Sequence, residues 1–266
     1  MMQRNITMNG LRELLTVHGL LYSLIRHWKN FELSRLAHRL DPMKTDTVLS
    51  GPFKGMRFGN KRSRPRNLPK LIGSYECELH EIVQQLIDKK FSTIINVGSS
   101  DGYYAVGMAL KCPQAHVHAF EMEEQYRNEC LMNARANEVE NRISVLGACD
   151  HASLLTIPRS GSLIIMDCEG AELDILSEAI APRLAATFLL IELHDAMRPG
   201  CSRILWQRYE KTHDMRYTTA IAHSPEDYLV LHGLKPRQQT LAIDESRSGA
   251  QEWVYMTPKQ LYKAIL

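Results

Sequence analysis

Two apolar runs in this chain end in ionisable side chains. SLIIM, residues 162–166, is followed by Asp167 and Glu169, and FLLIELHD closes on Glu192, His194 and Asp195. Short apolar runs of this kind read as buried strands. Side chains alternate along a strand, so Glu192 and His194 face the same way. If the two strands are neighbours, five ionisable groups converge at one place. Like charges so close raise at least one pKa, which makes a general base able to take a proton from a hydroxyl. The same oxygens suit a divalent cation, which would acidify the hydroxyl directly. The plainer alternatives are that Glu169 and Glu172 cap the next helix or pair with arginines, and that His194 is a local hydrogen-bonding residue.

A second constellation lies upstream. The β-branched run STIINV leads into Asn96-Val97-Gly98-Ser99-Ser100-Asp101-Gly102-Tyr103, and Glu121 stands 23 residues beyond Gly98. Gly98 and Gly102 allow a sharp turn with close approach of backbone to ligand, and the amides at the next helix start offer donors. A carboxylate at Glu121, after the second strand, can accept from both hydroxyls of a ribose. A dinucleotide site needs G-x-G-x-x-G, but Ser100 and Tyr103 occupy its last two glycine positions. The loop also spells G-x-S-x-G through Ser100. A nucleophile elbow, however, normally follows several strands and an upstream oxyanion loop, whereas this loop follows the first clear strand. S-adenosylmethionine, with ribose hydroxyls and a cationic sulfur but no phosphate, suits a partly acidic loop through Asp101.

The elements that must position these groups alternate. Strand-like runs at STIINV, AHVHAF, Arg142–Leu146, Ser162–Met166 and Thr187–Leu193 are separated by helical stretches such as Tyr103–Lys111 and Glu123–Asn137. That pattern means βαβ units and a parallel sheet. Three strand-like runs follow, Arg216–Ile221, Gln239–Ile243 and Glu252–Met256, two of which are expected to add an antiparallel hairpin at the sheet edge.

INVGSSDGYYAVGMA, HAFEMEEQ, IIMDCEGAELDIL and LLIELHD together resemble the successive motifs of class I S-adenosylmethionine-dependent methyltransferases. DCEGAELDIL is most similar to the D-x-E-G-x-E-x-x-(I/L)-L signature of the FkbM-like group. The resemblance covers roughly residues 73–215. It implies an α/β, Rossmann-like fold with a mostly parallel seven-stranded sheet and an antiparallel edge hairpin. Residues 71–266 would form that domain and 1–70 a basic, helical N-terminal extension. It further implies that Gly98, Ser99, Ser100, Asp101 and Gly102 line the methionine part of the cofactor, Glu121 binds the ribose and Met122 packs on adenine. Cys149 and Asp150 would flank the adenine amine. Asn96 stands where many relatives carry an acid, which weakens an indirect contact to the cofactor's amino group. Asp167, Glu169, Glu192 and His194 are the catalytic candidates, and no metal ligands are assigned. The expected reaction is O-methylation of a sugar or another small polyhydroxylated metabolite. The competing readings are a non-catalytic partner protein of the same fold and a nicotinamide oxidoreductase.

Composition frames these readings. The chain has 266 residues, 44% of them apolar, with 32 Lys and Arg against 30 Asp and Glu. That length and balance exclude a disordered chain and leave ample material for a core. Six scattered cysteines form no C-x-x-C pair, which reads as reduced thiols. With no apolar run long enough for a bilayer and no leader pattern at the first residues, a cytoplasmic protein is expected. Basic residues crowd the first 70 positions, densest at Lys61, Arg62, Arg64 and Arg66. Without interleaved aromatic residues, nucleic acid is not the expected partner. An anionic or membrane surface, or a homodimer formed through the helical seam from Leu14 to Phe31, are the alternatives to simple packing.

Overall fold

A computed structural model describes residues 28–29, 31–37, 39–40, 46–59, 67–156, 158, 161–247, 249 and 251–259. The basic cluster Lys61 to Arg66 and nearly all of the Leu14–Phe31 seam lie outside these residues, and with them the expected surface or homodimer contact. Among the described residues, no helix is long and apolar enough to cross a membrane.

Seven strands build one sheet: β1 (Thr93–Val97), β2 (His116–Phe120), β3 (Ile143–Leu146), β4 (Ser162–Met166), β5 (Phe188–Leu193), β6 (His213–Thr219) and β7 (Glu252–Pro258). Their order is β3-β2-β1-β4-β5-β7-β6. The first five are mutually parallel, and β7 runs antiparallel to both β5 and β6. The α/β class and the mostly parallel seven-stranded sheet are therefore as expected. The central strands β1, β4 and β5 are mostly apolar and buried because helices cover both faces, and alternate residues divide between two core layers. Ile94, Leu163 and Leu190 face a layer with the helices His80–Asp88 and Tyr103–Lys111. Ile95, Ile164 and Ile191 face a layer with the helix Cys201–Tyr209.

The C-terminal part differs from expectation in one element. Gln239–Ile243 adds no strand; 239–242 belong to the helix Pro236–Ala242, which opens on a proline at its first position. Proline fixes a helical φ there and loses no hydrogen bond. Ala242 and Ile243 pack with Leu231, Leu33, Leu36 and Ala37 in a small third cluster. The helical residues 31–37 thus cover their own chain.

The arm before residue 60 is built into the first core layer through Val48, Phe53, Met56 and Phe58. The Phe53 ring lies where a side chain on Gly107 would stand, its Cγ 2.5 Å from that position. Asn137 clamps Arg57, accepting from its amide at 2.8 Å and donating to its carbonyl at 2.6 Å. Packing therefore runs continuously across residue 70.

Candidate active site

Strand order reverses between β1 and β4, which opens a crevice at the carboxyl ends of the strands. The glycine loop lies there, beside a cavity of about 490 Å³ lined by Gly98, Ser100, Phe120, Glu121, Cys149 and Asp167, among others. Gly98 has φ +75°, and a Cβ on it would fall 1.5 Å from the carbonyl oxygen of Asp167. Its freedom from a side chain is thus required first by the neighbouring loop. Gly102, at φ +85°, lies against Cys130, whose Sγ would stand 2.7 Å from an added Cβ. Here the requirement is close packing of the next helix.

Ser100 adopts the left-handed region at φ +47°. Its amide donates to Oε2 of Glu121 at 2.8 Å, while the amide of Glu123 donates to Oε1 at 2.9 Å. Two backbone donors thus fix the Glu121 carboxylate at the cavity wall, and each oxygen keeps a lone pair for a ligand. Met122, three-quarters exposed, lies on the same rim with Tyr126. Asn96 is buried and donates from Nδ2 to the carbonyl of Ile165 at 3.3 Å, bracing β1 against β4.

Two of the carboxylates that follow strands accept from amides at helix starts. Asp150 precedes the helix His151–Leu155 and accepts from the amide and hydroxyl of Ser153 at 2.8 and 2.6 Å. Those hydrogen bonds hold its carboxyl below the usual range. Asp195, counted with the converging ionisable groups, accepts from the amides of Gly200 and Ser202 at 3.1 Å each, next to the helix Cys201–Tyr209. An acceptor at a helix start satisfies otherwise unpaired amides.

The other acids do converge. His194 Nε2 lies 3.6 Å from Asp167 Oδ1, 3.6 Å from Glu169 Oε2 and 4.0 Å from Glu192 Oε2. Its Nδ1 lies 2.7 Å from Oε1 of Glu172, whose side chain is fully buried. A carboxylate at that range accepts a hydrogen bond from Nδ1–H, which in the neutral ring leaves the Nε2 lone pair facing Asp167 and Glu169. Burial pulls the His194 pKa down, but the Glu172 hydrogen bond and charge, with Asp167 and Glu169, outweigh it and raise the pKa above 6.5. Glu169 holds a left-handed φ of +54° at the turn between β4 and the next helix. Glu192 is nearly fully buried; burial and the charge of Asp167 raise its pKa strongly. Burial raises Asp167 as well, opposed by the hydrogen bond with Glu192. Burial and neighbouring carboxylates therefore push both carboxyls upward. One donor atom each from Asp167, Glu192 and His194 lie within 4.8 Å of one another, a spacing that also suits a divalent cation.

Three residues here were not among the sequence candidates. Glu172 had been weighed only as a cap or an arginine partner. Glu76 is buried at φ +48° and accepts from the Tyr104 hydroxyl; burial pushes its pKa up to about 7. Lys70 reaches the loop from the short helix Leu68–Ile72 and pairs with Asp101 at 2.8 Å. The acidic signature around Glu172 held a signal for the first. Nothing local marked the other two.

No family model matches the chain. Its backbone is similar to that of the O-methyltransferase TomG from Streptomyces achromogenes, involved in tomaymycin synthesis and solved in complex with SAM. Identity is 13%, coverage 75% of this chain and 87% of that one, and the TM-score 0.47. The precorrin-6y C5,15-methyltransferase of Geobacter metallireducens GS-15 is 11% identical over 68% of this chain and 88% of its own, at a TM-score of 0.46. A Streptococcus pneumoniae protein described as a candidate tRNA (m1A22) methyltransferase is 17% identical over 66% of this chain and 69% of its own, at 0.42. Likeness at this level bears on the course of the chain alone, so the chemistry rests on the geometry above.

Proposed function

We propose that the chain is an S-adenosylmethionine-dependent methyltransferase acting on a hydroxyl of a small polyhydroxylated acceptor. The observation that carries this reading is Glu121, held by two backbone amides at the wall of a cavity placed where strand order reverses. A carboxylate fixed in this way has one acceptor site per oxygen for the two hydroxyls of a ribose. Ser100 and Tyr103 stand where a dinucleotide's pyrophosphate requires glycines, which disfavours a nicotinamide cofactor. A non-catalytic partner protein would have no use for the ordered dyad of His194 and Glu172.

The residues divide the work. Glu121 binds the ribose, with Met122 and Cys149 against adenine, and the loop Gly98 to Gly102 lies along the rest of the cofactor. When bound, the cofactor supplies an electrophilic methyl group. His194 Nε2 takes the acceptor's hydroxyl proton, while Glu172 holds the tautomer and stabilises the imidazolium that forms. Asp167, Glu169 and Glu192 line the acceptor side. A divalent cation held by Asp167, Glu192 and His194 is the second reading, favoured by their 4.8 Å grouping; it would acidify the hydroxyl in place of the base.

Calorimetry with S-adenosylhomocysteine, followed by an acceptor screen with methyl-labelled donor, tests the assignment. Saturable binding at micromolar concentration and label transfer to a hydroxylated acceptor are expected. Binding of NAD(P)H with indifference to S-adenosylhomocysteine would overturn it.

A further inference from the structure

Behind the glycine loop lies a second, smaller cavity of about 40 Å³, lined by Lys70, Tyr75, Asn96, Ser99, Asp101 and Trp253, among others. Room for a few water-sized groups suits the end of a ligand and excludes a whole one. Its walls are polar and unsatisfied. Asn96 Oδ1, Ser99 Oγ, Asp101 Oδ2 and Trp253 Nε1 are all buried without a hydrogen-bond partner among the described residues. The residues carrying them are between 1% and 4% exposed. Native proteins rarely leave one such atom unpaired, because each costs the desolvation of a polar group. Four around one small cavity point to an occupant with both donors and acceptors.

The set is amphoteric. Asp101 Oδ2 and Asn96 Oδ1 accept, and the Trp253 indole N–H donates, while the Ser99 hydroxyl does either. Lys70 adds the cation. Its Nζ lies 2.8 Å from Asp101 Oδ1, 5.1 Å from the centre of the Tyr75 ring and 5.5 Å from that of Tyr103. Asp101 is the one oxygen partner it reaches among the described residues, so two of its three N–H bonds remain for another acceptor. A group carrying an ammonium and a carboxylate side by side uses both halves of this wall.

From this wall we infer that Lys70, with Trp253, is the carboxylate-binding part of the site and selects ligands that end in an α-amino acid. The inference rests on the nucleoside reading above and adds two residues outside the loop that carries it. The Lys70 ammonium pairs with Asp101. A ligand's ammonium takes Asp101 and Asn96, and Lys70 and the indole N–H then face its carboxylate.

Three adenosine ligands separate the contributions: S-adenosylhomocysteine, decarboxylated S-adenosylmethionine (ammonium without carboxylate) and 5′-methylthioadenosine (neither). Calorimetry on the full chain should show Lys70→Met weakening S-adenosylhomocysteine at least tenfold. The other two ligands should stay within about twofold, which also shows that the variant is folded. Lys70→Arg should retain most of the discrimination, and Trp253→Phe should weaken S-adenosylhomocysteine by a few-fold only. Equal weakening of all three ligands by Lys70→Met would overturn the inference and leave Lys70 a support for the loop, with the nucleoside reading intact. Undiminished affinity for S-adenosylhomocysteine would overturn it too. A wild-type chain that binds none of the three would bring down both the inference and the nucleoside reading.

Discussion

The two sides of the crevice are built from different material. On the side proposed for the nucleoside, backbone amides do the positioning: Ser100 and Glu123 fix Glu121, and Gly98 and Gly102 let two loops and a helix close on one another. On the side proposed for the acceptor, side chains position side chains: Glu172 orients His194, and burial beside each other raises Asp167 and Glu192. A backbone-made site keeps its shape when one side chain changes. A side-chain network in a low-dielectric setting loses much more when one member is removed.

The largest expected effect falls on the acceptor side. His194→Ala should lower kcat by ~10²–10⁴-fold while S-adenosylhomocysteine binds as before, as expected of a general base. Near-normal turnover would move the base to Asp167, Glu169 or Glu192, and Asp167→Asn is the next variant to measure. On the nucleoside side, Glu121→Ala removes two charge-assisted hydrogen bonds worth about 1.5–3 kcal/mol each and should weaken the cofactor at least tenfold. Its kcat at saturating cofactor should change little. A variant that lost turnover but kept affinity would erase the distinction between the two sides.

Glu172→Gln sharpens the acceptor side alone. His194 must be neutral to accept a proton, and its pKa lies above 6.5. Turnover should therefore fall as pH drops through that raised value. Removing the Glu172 charge lowers the pKa, so the acid limb of the rate profile should move to lower pH. A limb that stays in place would separate His194 from the rate. The smallest effect is expected from EDTA, which leaves a base-driven reaction untouched. Loss of activity in EDTA, restored by Mg²⁺ or Mn²⁺, would hand the role to a cation on Asp167, Glu192 and His194.

Legibility followed the same division. Gly98, Gly102 and Glu121 declare themselves because a strand, a turn and a second strand lie close in sequence. Five parallel strands were equally readable from short apolar runs between helices. His194 and Glu192 were readable as facing the same way, but the partner that orders the imidazole, Glu172, lies 22 residues away, after the neighbouring strand. Asp150 and Asp195 also accept from amides at helix starts, a task that a carboxylate after a strand does not declare in sequence. Gln239–Ile243 looked like a strand by composition, yet Pro236 starts a helix whose last residues pack on the clusters around Leu33 and Leu36. Lys70 was one basic residue among many in the first 70. Only the fold brings it to Asp101.

The place of β7 sets an order of assembly. It is seventh in sequence but sixth in the sheet, wedged between β5 and β6. Among the described strands β6 pairs with β7 alone, so it stays without a ladder partner until residues 252–258 arrive. Pairings this distant in sequence form late, since the loop between them must close first. The same strand carries Trp253, which lies opposite Glu192 on β5. A chain emerging from the ribosome can therefore complete its nucleoside crevice while the wall behind the glycine loop is still open. On the reading proposed above, discrimination among adenosine ligands waits for residues 252–258.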